Sequence, residues 1–342
     1  MTSPRYIFRT APSGEWARLD IAHWQHSLEY LDFQHKLNRD AEHLIIEEES
    51  SKKIIGYFAI IHYPLGYGLK LADIPYGPVW LSSPDDTILD ELANFLRDYA
   101  SRHKLIFLRL ELPRPHQAFR QAPYPNTTSF AQAEGEALLN LKAPIDTLWH
   151  KCSKSTRRNI TASQKNNLSI EFAYGNDLLG SRDDFICINQ ATTQAHHTTT
   201  HSDTHFKILF EALAGNKKSF VAVVRDSEQE IHAINIITIF GKHAYCPYGA
   251  STERGKRELG AYYFIKWEII KHLKEQGIQD FNWGGISVGE DDASLAGLNQ
   301  FKLGFGGEKL LHYPRYDLPT SWWYYPYIGR AYFKQILKMI RK

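Results

Sequence analysis

Tyr248-Gly249-Ala250-Ser251, Trp267-Glu268, Trp283-Gly284-Gly285-Ile286 and Phe301-Lys302-Leu303-Gly304-Phe305-Gly306 succeed one another in the C-terminal part of the chain. The periodicity around them sets an element order. Apolar runs at 220–224, 231–240 and 243–248 read as strands, with Gly241-Lys242 as a tight turn between the last two. A helical pattern over 260–275 is ended by Gly277, and a strand follows at 279–283. Upstream the same order appears, with strands at 43–49, 54–62 and 69–74. Pro84-Asp85-Asp86 then opens a helix that carries Ile88, Leu89, Leu92, Phe95, Leu96 and Tyr99 on one face, and a strand follows at 105–112. Three strands, a helix and a strand, occurring twice, are the pattern of two copies of one α+β unit. The prolines of 113–128 mark a loop ahead of a boundary near Ala143-Pro144, and 145–165 reads as a helical linker. The expected division is therefore a first domain at 1–144, a second at 145–320, and a terminal segment at 321–342. In that last segment Phe333, Ile336, Leu337 and Ile340 share one face, and Arg330, Lys334, Lys338, Arg341 and Lys342 supply charge with no acid. It reads as a basic amphipathic helix, a type that can rest on anionic lipid.

The composition narrows the function classes. A chain of 342 residues is long enough for two ordinary domains. Its formal net charge of +2 is too balanced to call for a polyanion partner overall, so any anion site must be local. Aromatic residues make up 13%, enough to line a groove for a sugar, base or peptide. Cys152, Cys187 and Cys246 are odd in number and widely separated, which suits a reducing compartment and no disulfide framework. The N-terminus has no apolar signal region, and no apolar run has the length of about 18 residues that a bilayer span needs. The expectation is a cytoplasmic protein, with peripheral contact at the cytoplasmic membrane face through the tail.

The opening motifs resemble the second domain of the FemABX family, the peptidoglycan interpeptide-bridge aminoacyltransferases (FemA, FemB, FemX). Further similarities run through the chain: Ser27 to Lys36, Tyr76-Gly77-Pro78-Val79, the strand Phe107 to Pro113, and Lys154-Ser155-Thr156-Arg157-Arg158-Asn159-Ile160 with Ala162 and Lys165. Asp291-Asp292 and Gly297-Leu298 precede Phe301 as the family pattern has them. Departures occur where Asn282 and Glu111 stand for the family's aspartates, and where Thr198-Thr199-Thr200-His201 offers no phosphate-binding arginine. No coiled-coil arm is present, so the resemblance is FemX-like. It implies two tandem acetyltransferase-like (GNAT-type) domains with mixed central sheets, a groove between them holding the site, and a terminal helix packing back on the first domain. It also implies a monomer and the partners aminoacyl-tRNA and a peptidoglycan precursor, lipid II or a UDP-linked muropeptide. No cofactor is expected.

Within that resemblance Lys302 would stabilise the oxyanion formed at an attacked ester carbonyl; read by itself it is a surface lysine after a strand. Lys36 and Tyr248 would contact the precursor's diphosphate and sugar; their plain readings are a solvated helix face and a core aromatic. Glu111 ends a strand and is a candidate to orient or deprotonate the attacking amine, or else pairs with Arg109 or Lys104. Thr199, His201 and Tyr263 complete the candidate substrate contacts. Lys154, Arg157 and Arg158 lie in an acid-free basic stretch that can face a tRNA acceptor end. His196, His197, His201 and His205 have a spacing that invites a metal, but the threonines among them and the lack of a nearby cysteine argue for polar contacts, and no metal is expected. Two other functions stay open. An acyl-CoA enzyme of this fold would cradle pyrophosphate at Arg257-Glu258-Leu259-Gly260-Ala261-Tyr262, where Tyr262 replaces the last small residue. A non-catalytic tRNA- or precursor-binding relative need not keep Phe301 to Gly306.

Overall fold

The computed structural model describes residues 5–122, 133–195, 200–288 and 293–330. In chain order these form β1 (Tyr6–Thr10), α1 (Ser13–Trp16), α2 (Leu28–Lys36), β2 (Ala41–Glu48), β3 (Ile54–Gly66), β4 (Leu69–Asp73), β5 (Val79–Trp80), α3 (Asp86–His103), β6 (Leu105–Glu111) and β7 (Arg120–Gln121). There follow β8 (Gly135–Asn140), α4 (Ile145–Lys151), α5 (Lys154–Ser163), β9 (Ser169–Tyr174), α6 (Arg182–Ala195), α7 (Asp203–Ala214), β10 (Phe220–Arg225), β11 (Ile231–Phe240) and β12 (His243–Ser251). The chain ends with α8 (Ala261–Glu275), β13 (Asp280–Ile286), α9 (Ala293–Gly304), β14 (Glu308–Leu311) and β15 (Arg315–Pro319). By its contacts it divides into two units, Met1–Gln132 with His312–Lys342, and Ala133–Leu311.

The first unit is built on a mixed sheet of order β1-β2-β3-β4-β6-β15-β7, with β5 added to β3. Helix α3 covers it. Asp85 caps the helix by accepting from the Ile88 amide at 2.9 Å, and Ile88, Leu89, Leu92 and Leu96 are buried against the strands. Each such aliphatic side chain removed from water contributes about 1.5–3 kcal/mol. Lys104 ends the helix in the left-handed region, φ 57°. The second unit has a sheet of order β14-β8-β13-β12-β11-β10-β9. Helix α8 lies on it through Ile265, Ile269, Ile270 and Leu273, all fully buried. Gly277, at φ 73°, ends α8 as the sequence predicts: its amide bonds to Lys274 O and the Ile278 amide to Leu273 O, both at 3.0 Å. Both units thus carry mixed sheets covered by helices, the tandem acetyltransferase-like architecture.

The expected boundaries shift in two places. Strand β8, assigned to the first domain, pairs with β13 and β14 and puts Ala137 and Leu139 in the second core. Strand β15, assigned to the second, pairs with β6 and puts Tyr316 and Leu318 in the first core. The helical linker is two helices, broken at Cys152-Ser153, where Ser153 caps α5 through the Thr156 amide at 3.1 Å. Beyond β15, residues 324–330 are helical, and the Tyr324 ring packs on Phe107 of β6 within the first unit. The rest of the tail, 331–342, lies outside the described residues.

Candidate functional site

Strands β12 and β13 run parallel only through His243↔Asp280, Ala244↔Phe281 and Tyr245↔Asn282. Beyond that point their pairing ends. Pro247 has no amide to donate, and the β11–β12 register shifts at the same level, between Ile236 and Thr238. On the other side the β8–β13 register shifts between Asn282 and Gly285. Gly284 takes φ 75° there, and its amide donates to Asn282 Oδ1 at 2.8 Å. A glycine is needed because a side chain rarely adopts that backbone conformation.

Two lysines meet this end of the strand pair. Lys302 is on α9, not after a strand as expected, and its ammonium donates to Gly285 O at 2.6 Å. Burial, and then the like charge of Lys266, push its pKa down to about 8. Lys266, on the buried face of α8, is only 4% exposed. Its Nζ lies 3.2 Å from Cys246 Sγ and over the rings of Trp283 (5.0 Å) and Tyr262 (5.8 Å). Nearby Glu136, fully buried on β8, accepts from Asn282 Nδ2 at 2.8 Å and from the Tyr245 hydroxyl at 3.2 Å. Among the described residues, Trp283 Nε1, Asn235 Nδ2 and Ser251 Oγ in this unit are buried without a hydrogen-bond partner. Sequence reasoning missed Lys266; its one signal is a lysine between Ile265 and Trp267 on a helix face that is otherwise apolar.

The glycines after Lys302 serve packing rather than approach to a ligand. A Cβ at Gly304 would lie 2.5 Å from Thr156 Oγ1, and one at Gly306 2.8 Å from the Lys151 Cβ. The turn before α8 is similarly filled. A Cβ at Gly260 would meet that of Ser163 at 3.0 Å, Asn166 donates to Leu259 O at 2.9 Å, and the Tyr262 ring stacks on Phe301 at 4.5 Å.

Tyr248 lies near two of the expected histidines. Its hydroxyl is 3.1 Å from His205 Nε2, its ring packs edge-on against Phe206, and His201 stacks on His205 at 3.9 Å. Tyr263, partly buried, packs between Phe301 and Phe305 at the edge of the second core. Thr199, His196, His197 and Asp291-Asp292 lie outside the described residues. Of the basic stretch, Lys154 and Arg158 are exposed. The Arg157 guanidinium instead donates to Cys152 O, and to His150 O at 3.0 Å, where it satisfies carbonyls at the end of α4. One trio among the described residues, Asp226, Glu230 and His232, brings potential metal-ligand atoms together; Arg254 lies 3.5 and 3.3 Å from its two carboxylates.

In the first unit Glu111 is buried at the end of β6, 4% exposed. The partner expected for it, Arg109, is engaged bidentately by Asp317 at 2.6 and 2.8 Å, and Lys104 forms the C-cap of α3. Lys36 is on the exposed side of α2 and pairs with Asp32, one turn earlier, at 2.8 Å.

Residues 218–328 match the model of the FemAB family. No curated protein matches the chain in sequence. The fold is similar to that of a crystal structure of FemX at TM-score 0.74 and 12% identity, covering 92% of this chain and 97% of that one. A conserved protein of unknown function from Bacteroides thetaiotaomicron follows at 0.54 and 13%, covering 91% and 98%. A tandem GNAT protein from the clavulanic acid biosynthesis pathway superposes at 0.50 and 10%, covering 92% and 99%. At such identities these likenesses carry the fold alone. The family match covers β10 to β15, and so includes both lysines and the strands that diverge beside them.

Proposed function

We propose that this chain, which belongs to the FemAB family, is an aminoacyl-tRNA-dependent transferase that joins an amino acid to an amine of a peptidoglycan precursor's stem peptide. The observation that carries the reading is the half-buried Lys302 ammonium beside the divergence of β12 and β13, inside the family-matched segment. An aminoacyl ester is already activated, so a protein that transfers it mainly supplies position and charge where the oxyanion develops. A protonated lysine has three donors. Gly285 O takes one, and the others are available in number for a carbonyl oxygen turning anionic. Tyr248, with His205 and His201 against it, presents a ring and hydroxyl to the precursor. In the first unit, Glu111 is assigned to orienting the amine and Lys36 to a phosphate.

Acyl-CoA as donor is the second reading, since the tandem acetyltransferase architecture admits it. The filled turn at Gly260 and the Tyr262 ring work against a pyrophosphate cradle there. The test incubates the protein with charged total tRNA and a soluble muropeptide. A mass gain of one aminoacyl residue that RNase abolishes supports the proposal. A gain that needs acyl-CoA instead overturns it.

A further inference from the structure

We propose that Lys266 is a positioning residue for Lys302: its ammonium, fixed in the interior between the Cys246 thiol and two aromatic faces, makes Lys302 the group that moves the proton of the transfer. The inference rests on the transferase reading and adds a mechanism to it. An ammonium that is 4% exposed is costly to keep unless an anion pairs with it. Among the described residues no carboxylate forms an ion pair with Lys266; its polar neighbour is Cys246 Sγ at 3.2 Å, with the Trp283 and Tyr262 rings around it. Those partners fix the position of the ammonium. What such a cation can do is act on the next titratable group, and paired lysines in apolar surroundings are a known way to make an amine give up its proton near neutrality.

The groups that face Lys302 come from several elements. Lys266 of α8 opposes its charge, while Cys246 of β12 and Glu136 of β8 favour it. The backbone carbonyl of Gly285 on β13 holds the amine in place in either protonation state. Glu136 is itself tied to Asn282 and Tyr245, which limits its approach. Burial and Lys266 prevail, and Lys302 titrates near pH 8 rather than in the usual lysine range.

The acceptor is an ammonium before it reacts, since a free alkyl amine is mostly protonated at neutral pH. Neutral Lys302 takes one proton from it, and the freed amine attacks the ester carbonyl. The C–N bond forms, the C–O bond to the ribose breaks, and Lys302 returns its proton to the leaving oxygen. The nitrogen's second proton goes to solvent, so that ammonium and ester become amide, alcohol and one proton.

The titration of Lys302 can be read without any activity, by competitive acetylation of the full chain with acetic anhydride across pH and mass spectrometry of the Lys302 peptide. Wild type should show a midpoint near 8. K266M and K266Q, which remove the charge, should move it upward by about one pH unit or more, and K266R should restore it. Transfer at pH 7 should fall about tenfold in kcat for each such unit, with KM unchanged and the rising limb of the pH profile displaced by the same amount. A Lys302 midpoint unmoved in both neutral variants, each folded by circular dichroism, overturns the role of Lys266. A midpoint that moves while wild type transfers nothing from charged tRNA overturns the reaction instead.

Discussion

The two units repeat one strand order and part company at the same point in it. In the first, the parallel pair β4–β6 reaches Asp73↔Arg109, and the chain stays stitched beyond: Ile74 donates to Arg109 O, and Glu111 to Gly77 O, each at 2.8 Å. Two buried ion pairs lie there. Arg109 holds Asp317, Arg315 holds Asp73, and Tyr324 donates to Asp317 at 3.1 Å. In the second, the parallel pair β12–β13 stops at Tyr245↔Asn282, and two lysines occupy the region with no carboxylate bonded to either among the described residues. Balanced buried charge serves as scaffold, and unbalanced buried charge marks where chemistry is to be sought.

The comparison breaks most visibly at Asp317. D317A leaves the Arg109 guanidinium buried without its bidentate partner, and should cost about 3–5 kcal/mol in urea unfolding. A loss under 1 kcal/mol would mean that the ion pairs do not hold the first unit together. The two units should also answer pH in different windows. Burial pushes His26 and His43 down to about 3 and His62 to about 4, all three in the first unit. Their unfolded forms take up protons below about pH 6.5, so the stability they contribute is full above that value and drains as pH falls toward 4. Lys302 works in the same direction, in a higher window. Its charged form is disfavoured in the folded protein below pH 8, and that cost is relieved as pH rises toward 10.5. K302M should therefore be more stable than wild type at pH 7, by a margin that shrinks above pH 8; thermal melts across pH check both limbs, and a margin independent of pH would show that Lys302 carries an ordinary charge. The smallest effect is expected at Lys36, where K36M removes an exposed one-turn ion pair and should change stability by less than about 0.5 kcal/mol.

Much of this architecture was legible in the sequence. The long strands β3 and β11, and helices α3 and α8, announce themselves by periodicity and by caps such as Asp85 and Gly277. The short strands β8 and β15 do not. Six and five residues carry too little pattern to show which core they enter, and both domain boundaries shift on them. Lys302 was found by its motif, yet its helix α9 was not, because Leu303-Gly304-Phe305-Gly306 suggests a loop and the glycine contacts with Thr156 and Lys151 come from another part of the chain. Lys266 was invisible for a related reason. A lysine in a helix is ordinarily an exposed residue, and only the fold shows it turned toward Cys246 and Trp283.

The central claim is that the unbalanced lysines of the second unit carry the reaction. Single-turnover transfer from charged tRNA to a muropeptide by K302M, alongside precursor binding by calorimetry, tests it most directly. The account predicts a rate lower by about 10²–10³-fold with precursor affinity unchanged. An undiminished rate in the folded variant would contradict it.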